Sequence, residues 1–219
     1  MIRRPVIAID GPAAAGKGTL ARRIAAALDL PYLDTGLLYR AVGRRVLDAG
    51  GNPADPAAAT SAARALQPSD LERGDLRGPE ADAAAASVAA IPAVRAALLD
   101  FQRGFGGAHG AVLDGRDIGT VIFPDAAVKL YVTASLDARA RRRWLELRAK
   151  GVEADLAGVQ ADMLARDTRD APNMRMADDA VLLDTTELDA EAAFARAMHE
   201  VQARLAYGLN NQTRPTNLV

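Results

Sequence analysis

Val6-Ile7-Ala8-Ile9-Asp10, then Gly11-Pro12-Ala13-Ala14-Ala15-Gly16-Lys17-Gly18-Thr19, then Leu20-Ala21-Arg22-Arg23-Ile24-Ala25-Ala26-Ala27-Leu28 is the stretch whose reading decides the fold. An apolar β-branched run is cut by glycine, crosses small residues and restarts at helical spacing, which reads as strand, phosphate loop and helix. Gly11 and Gly16 can take backbone angles closed to other residues, so the amides between them can turn inward around phosphate oxygens at a helix N-terminus. Lys17 would reach the β- and γ-phosphates, and the Thr19 hydroxyl would ligate Mg²⁺. In the usual form of this pattern the hydroxyl follows the lysine directly, whereas here Gly18 intervenes. The competing reading, a Gly/Ala-rich turn that binds nothing, is weakened by the strand before it and the helix after it.

Downstream, Pro31-Tyr32-Leu33-Asp34 is a short strand candidate, and Leu37 to Ala49 a helix with Leu38, Val42 and Val46 on its core face. Residues 54–67 are helical by alanine content, 68–80 loop-like, and 81–90 helical, while Pro92 suits the first turn of a helix to Arg103 that buries Val94, Leu98 and Phe101. Gly104 to Gly110 is expected to close this insert as a flexible stretch. Strand signals return at Ala111-Val112-Leu113-Asp114, Ala127 to Val132 and Ala180 to Asp184. Between the last two lie an arginine-dense helix, Leu136 to Lys150, capped by Ser135 or Asp137, and a second from Leu156 to Ala165. The final helix aligns Phe194, Met198, Val201 and Leu205, and a polar, mobile tail is expected from Gly208. Several of these five strands are apolar throughout, which implies a parallel sheet covered on both faces, with ligands at the carboxyl ends of its strands.

Composition narrows the chemistry. The chain of 219 residues has no cysteine, so disulfides and thiolate metal sites are excluded, and with two histidines any metal is expected to be oxygen-ligated. A formal net charge of −1 gives no general reason to expect nucleic acid or an anionic membrane as partner. Met1-Ile2-Arg3-Arg4-Pro5 shows no signal-peptide core and no apolar run reaches spanning length, so a cytoplasmic location is expected.

Beyond the loop, the strongest feature is Val112-Leu113-Asp114-Gly115-Arg116-Asp117. A carboxylate at the end of a buried strand can hold water on Mg²⁺, and an adjacent arginine can clamp a phosphate; the plain alternative is a turn-capping Asp114 and a surface-paired Arg116. Arg139, Arg141, Arg142 and Arg143 crowd one helix, and Arg166, Arg169 and Arg175 flank a break after the next. Such cations suit phosphoryl transfer between two anions, but a solvated face paired with Glu146, Glu153 and Asp155 would look the same. Thr35, Tyr39 and Arg40 follow the second strand, where a helix N-terminus would meet another phosphate; Arg40 suits that role, and Tyr39 suits packing.

With these pieces assembled the chain resembles the bacterial cytidylate kinases of the nucleoside-monophosphate kinase superfamily. The resemblance is carried by Ile9-Asp10-Gly11-Pro12, Gly16-Lys17-Gly18-Thr19-Leu20, Leu33-Asp34-Thr35-Gly36, Leu38-Tyr39-Arg40, Val88 to Arg95, Asp114-Gly115-Arg116-Asp117-Ile118-Gly119-Thr120-Val121-Ile122-Phe123-Pro124 and Arg166-Asp167. It implies a P-loop three-layer α/β fold: one kinase domain over 1–219, with a central parallel sheet of about five strands, a helical NMP-binding insert at 50–110 and a lid at about 145–178. The implied reaction is transfer of the γ-phosphoryl of ATP to CMP or dCMP with Mg²⁺, by a monomer. The implied ATP site is Gly11, Pro12, Ala13, Ala14, Ala15, Gly16, Lys17, Gly18 and Thr19, with Thr19 and Asp114 at the metal. By the same resemblance Thr35, Arg40 and Arg116 would hold the CMP phosphate, Arg95 and Asp117 the cytosine edge, and Asp170 the ribose, while Lys17, Arg142 and Arg166 would be catalytic cations.

Four departures from the family pattern bear on function. Ala13-Ala14-Ala15 stands where the family has serine and glycine, which is expected to be tolerated only if no positive φ is needed there. The region after Gly50 is short, so a reduced, helical subdomain is expected. A base-contacting serine aligns with Ala86, and Ser87 lies about 100° further round the helix. Asn173 occupies the last arginine position of the lid pattern, with Arg175 as the candidate replacement. The competing functions are a kinase for UMP, another nucleotide or a small metabolite, and a nucleotide-binding switch; no guanine-selecting Asn-Lys-x-Asp motif is present.

Overall fold

The computed structural model describes residues 4–107 and 109–212. Five strands, β1 (Val6–Asp10), β2 (Tyr32–Asp34), β3 (Ala111–Gly115), β4 (Val128–Thr133) and β5 (Val181–Asp184), form one sheet in the order β2-β3-β1-β4-β5. The pairs β1–β3, β1–β4 and β4–β5 are parallel, and their register brings Asp10 opposite Gly115 and Tyr131, and Thr133 opposite Asp184. The helices are α1 (Lys17–Leu28), α2 (Thr35–Asp48), α3 (Pro56–Arg64), α4 (Pro79–Ala89), α5 (Pro92–Gly107), α6 (Leu136–Ala149), α7 (Leu156–Asp170) and α8 (Ala190–Gln212).

The chain divides into two compact units, one of residues Met1–Leu33 with Ala108–Val219, the other Asp34–Gly107. In the first, Ile7, Ile9, Val112, Val128, Leu130, Val132 and Leu183 of the strands pack with Leu20, Ala21 and Ile24 of α1 and Ala193, Ala197 and Val201 of α8. This is the continuous apolar character that several strands carry in sequence, with β4 also holding Lys129 and Tyr131 within its length. The second unit is helical and begins at Asp34, so α2 belongs to it; the sequence reading opened the insert at Gly50. Its core includes Leu38, Val42, Val46, Val88, Val94 and Leu98, all buried. A side chain on Gly43 would meet Ala84 Cβ at 2.7 Å, so glycine and the alanine-rich face of α4 let α2 and α4 approach closely.

Three boundaries differ from the sequence reading. Helix α5 continues to Gly107, through part of the stretch expected to be flexible, with Gly106 buried in its last turn and buried Gln102 donating to the Leu98 carbonyl at 3.1 Å. Helix α7 continues to Asp170 and stops where Pro172 enters a short 3-10 turn, so Arg166 is helical and sits one turn before Asp170. Helix α8 runs to Gln212, past Gly208 where the mobile tail was expected; the rest of that tail, 213–219, lies outside the described residues. Among the described residues, no single helix is long and apolar enough to cross a membrane.

Candidate active site

The phosphate loop joins the buried end of β1 to α1. Gly11 has φ +138°, and a Cβ there would fall on the Val132 carbonyl of β4, so only glycine lets the chain leave the sheet at this point. Gly16 caps α1 at φ +93° with open space around it. Ala14 has φ +58°, so the condition on which the three alanines were expected to be tolerated, that none needs a positive φ, is not met. Left-handed backbone at alanine costs about 1–2 kcal/mol. Part of the compensation is visible: Ala14 packs against a small cluster of Ala140, Val159 and Met163, with Leu136, Trp144, Leu147 and Ala154 around it. Lys17 is buried, and its ammonium donates to the Pro12 carbonyl at 2.7 Å. Burial, and next the nearby Arg116, push its pKa below the usual lysine range.

Beside this loop, β1 ends in Asp10, and β3 carries Asp114 one residue before its end. Asp114 is buried and accepts from the Tyr32 hydroxyl at 3.0 Å, while a side chain on Gly18 would stand 3.6 Å from Asp114 Oδ2. The loop residue between Lys17 and Thr19 therefore lies against Asp114, and Thr19 itself is exposed. Beyond β3, Asp117 is buried at the start of a wide turn, Ile118–Ile122, wound as a π-helix. That turn is held by Asp10, whose Oδ1 and Oδ2 accept from the Ile118 and Gly119 amides at 2.8 Å each. Burial outweighs these hydrogen bonds and pushes the Asp10 carboxyl up to about 6. In the sequence Asp10 stands out only as the end of a strand and within the Ile9-Asp10-Gly11-Pro12 match; the signal for its role is a carboxylate closing an otherwise apolar buried run.

The arginines sort themselves by partner. Arg139, which the sequence reading did not single out from its neighbours, is buried and forms a two-pronged pair with Asp167 at 3.1 and 2.7 Å, joining α6 to α7. It also donates to the Ala134 carbonyl at 3.0 Å and to Ala13 of the phosphate loop at 3.4 Å. Arg142, the predicted catalytic cation of α6, donates instead to the Thr185 hydroxyl and to the carbonyls of Thr185, Thr186 and Leu188. Thr185 is buried and its hydroxyl also lies 3.0 Å from the Ala15 carbonyl, so Arg142 braces the turn after β5 that supports the loop. Arg116 Nε donates to Asp170 Oδ2 at 2.8 Å, and Arg166 lies 3.8 Å from the same oxygen, so three predicted site residues meet in one cluster. Arg143 pairs with Glu146 as a solvated face would, and Arg175 pairs with exposed Asp178. Ser135, not Asp137, caps α6.

In the helical unit, Thr35 is buried at the start of α2, and Arg40 makes a close pair with Asp82 at 2.9 Å. A side chain on Gly36 would come 3.2 Å from an Arg40 guanidinium nitrogen, so glycine leaves room for that arginine. Arg95 stands over the Tyr39 ring at 5.9 Å. Ser87 donates to the Ala83 carbonyl of its own helix at 3.1 Å, while Ala86 is exposed.

Comparison with known proteins adds a family. The family model described as cytidylate kinase matches residues 7–203. A cytidylate kinase of Acidiphilium cryptum is 63% identical over 212 residues, covering 95% of this chain and 100% of that protein. One from Granulibacter bethesdensis is 62% identical over 205 residues, covering 92% and 98%. Among solved structures, a gluconokinase from Sinorhizobium meliloti aligns with TM-score 0.55 at 14% identity, covering 97% of this chain and 99% of that one. An uncharacterized protein from Eubacterium ventriosum aligns at 0.57 and 12%, covering 91% and 99%. These two likenesses concern the fold alone.

Proposed function

Because the chain belongs to the cytidylate kinase family, we propose that it transfers the γ-phosphoryl group of ATP to CMP or dCMP, giving ADP and CDP or dCDP. The observation that carries this reading is the pairing of a strained phosphate loop around a buried lysine with the Asp114-Gly115-Arg116-Asp117 segment at the neighbouring strand end, whose two carboxylates are buried and whose Asp114 lies against Gly18. Phosphoryl transfer asks the protein mainly for position and positive charge. The loop amides and Lys17 would hold the ATP phosphates; phosphate charge would keep the lysine protonated against the effect of its burial. Arg116, with Thr35 and Arg40, would hold the acceptor phosphate, and Arg166 would face the transferring group.

Asp117 would accept from the exocyclic amine that cytosine has and uracil lacks, with Arg95 on the same base edge and Asp170 on the ribose. On this reading Asp170 holds Arg116 until substrate arrives. Arg142 is assigned a bracing role, and Arg139 takes its place as the structural cation of α6. The 145–178 region, with α7 at its centre, would act as the lid that excludes water from the γ-phosphoryl. Ser87, bonded back into its helix, supports no role at the base.

The Thr19 hydroxyl and the Asp114 carboxylate would supply an all-oxygen donor set, a chemistry that fits Mg²⁺, an ion that keeps several waters and few protein ligands. When bound, magnesium supplies charge neutralisation at the phosphate oxygens. Tyr32 would orient the Asp114 carboxylate toward it.

The test is an acceptor panel. Purified protein with ATP and Mg²⁺ should release ADP faster on adding CMP or dCMP, and much less with UMP, AMP, gluconate or shikimate. No CMP-dependent ADP release refutes the reading, and equal rates with UMP refute the role given to Asp117.

A further inference from the structure

Asp10 is a carboxylate buried at the end of β1, against the turn that starts at Asp117. We propose that Asp10 is a specificity-positioning residue: it fixes the peptide plane that aims Asp117, and so sets discrimination between cytosine and uracil acceptors without touching the base.

The geometry is that of one peptide unit held at both ends. The Asp117 carbonyl accepts from the Val121 amide at 2.9 Å and the Ile122 amide at 3.2 Å. The N–H of the same peptide, on Ile118, donates to Asp10 Oδ1, and the next amide, on Gly119, donates to Asp10 Oδ2, each at 2.8 Å. With both ends tied, the plane cannot rotate, and the Asp117 side chain that departs from it has a fixed origin. The two bonds tie residues more than a hundred positions apart, so they are a tertiary anchor of this segment and not a local turn.

The underside of the turn is fixed as well. A Cβ on Gly119 would meet the Lys129 stem at 3.1 and 3.2 Å and Asp10 Oδ2 at 3.3 Å. Lys129 is itself buried on β4, with its ammonium drawn out to Asp179 at 2.9 Å. Gly119 is thus pressed between an aliphatic stem and a carboxylate, and losing that carboxylate opens space on one side only. The charged groups around Asp10 are Asp117 and Lys17. Lys17 makes its short hydrogen bond to Pro12, so Asp10 is not the anchor of the phosphate-binding lysine. A misplacement on the order of 1 Å at a group that orients substrate can cost about a hundredfold in rate, so loosening this plane should be visible in the acceptor kinetics.

This proposal rests on the assignment of Asp117 to the base, so Asp117→Ala is measured alongside. Asp10→Asn keeps one acceptor oxygen and removes the second; Asp10→Glu keeps the carboxylate and displaces it by one methylene. For each, kcat and KM are taken with CMP and with UMP, and ATP affinity by calorimetry without acceptor. Asp10→Asn is expected to raise the KM for CMP about tenfold and to lower the CMP/UMP ratio of kcat/KM by a similar factor. Its ATP affinity should stay within about threefold, and Asp10→Glu should fall between it and the parent. If Asp117→Ala lowers the ratio and Asp10→Asn leaves it unchanged, the proposal fails and the Asp117 assignment stands. If Asp117→Ala leaves the ratio unchanged, both fail. Equal losses of ATP and CMP affinity in Asp10→Asn would mark a general packing defect and also overturn it. Should Asp10→Asn not fold, Asp10→Glu is judged by the same ratio.

Discussion

Replacing Asp10 by asparagine should make this protein more stable near neutral pH. Burial holds the Asp10 carboxyl up to about 6, against 3.8 when it is exposed, even though two amides donate to it. The folded pKa lies above the unfolded one, so folding takes up a proton between the two. The ionised group therefore opposes folding fully above about pH 6, and that opposition is lifted as pH falls through about 6 toward 3.8. At 1.36 kcal/mol per pH unit the cost at neutral pH is about 3 kcal/mol. Asparagine is neutral but turns its amide toward one of the two N–H groups, which returns about 1 kcal/mol. The net gain is about 2 kcal/mol, or about 4–8 °C in Tm for a chain of this size. The assay is thermal melting of both proteins, without nucleotide, at about pH 7.5 and about pH 5, where the underlying charge effect should shrink to about half. Groups common to both proteins cancel in the difference. A variant less stable than its parent at the higher pH, or a gap independent of pH, would refute the reasoning that the carboxylate is held in place against its own solvation.

Lys17→Ala should leave the melting temperature near that of the parent and lower turnover by about 10³-fold, since the lysine is the buried cation of the loop; a loss under tenfold in steady-state ADP release would remove it from the chemistry. Arg139→Met should cost about 3 kcal/mol by leaving Asp167 unpaired, whereas Arg139→Met combined with Asp167→Leu should recover most of it, measured by urea unfolding; a single-variant cost under about 1 kcal/mol would show the pair to be incidental. The two loop glycines should separate: Gly11→Ala meets the Val132 carbonyl and should cost more than about 3 kcal/mol, while Gly16→Ala has open space and should cost only the backbone strain of about 1–2 kcal/mol, and similar melting curves for the two would contradict this account.

The sheet was legible because several of its strands are apolar throughout, and because Gly11 announces the exit from β1 as plainly in sequence as in space. What sequence periodicity could not supply was the partner of each charge. Arg139 and Arg142 are three residues apart on one helix and look alike in the chain. Only the packing of α7 and the turn after β5 sends one to Asp167 and the other to the carbonyls of residues 185–188. The end of α7 was missed for a related reason: Arg166, Asp167, Arg169 and Asp170 read as a charged break, yet Arg116 just after β3 holds Asp170 and Arg139 of α6 holds Asp167, and the helix continues to Asp170. Ala14 failed for a different one. Nothing in an alanine signals a positive φ, and the contact that offsets its strain comes from side chains around Trp144, distant in sequence.

Asp10, Lys17, Asp114, Asp117 and Arg139 are all buried near the carboxyl edge of the sheet, where each would be destabilising alone. Four acids of this region have identified partners inside the protein: Asp10 holds two amides, Asp114 the Tyr32 hydroxyl, Asp167 Arg139, and Asp170 Arg116. Acids repel phosphate, so toward the phosphates of two polyanionic substrates these carboxylates act indirectly: they fix the backbone, or they hold a cation in the position a phosphate would later share. The two kinds should respond to neutralisation differently. Changing Asp170 to asparagine frees Arg116 and should be felt in phosphate affinity and its salt dependence, because a charge has been released. The same change at Asp10 moves no cation and should be felt in base discrimination, at a salt dependence equal to the parent's. Salt sensitivity therefore distinguishes an acid that tunes charge from one that sets geometry, and Asp10 is of the second kind.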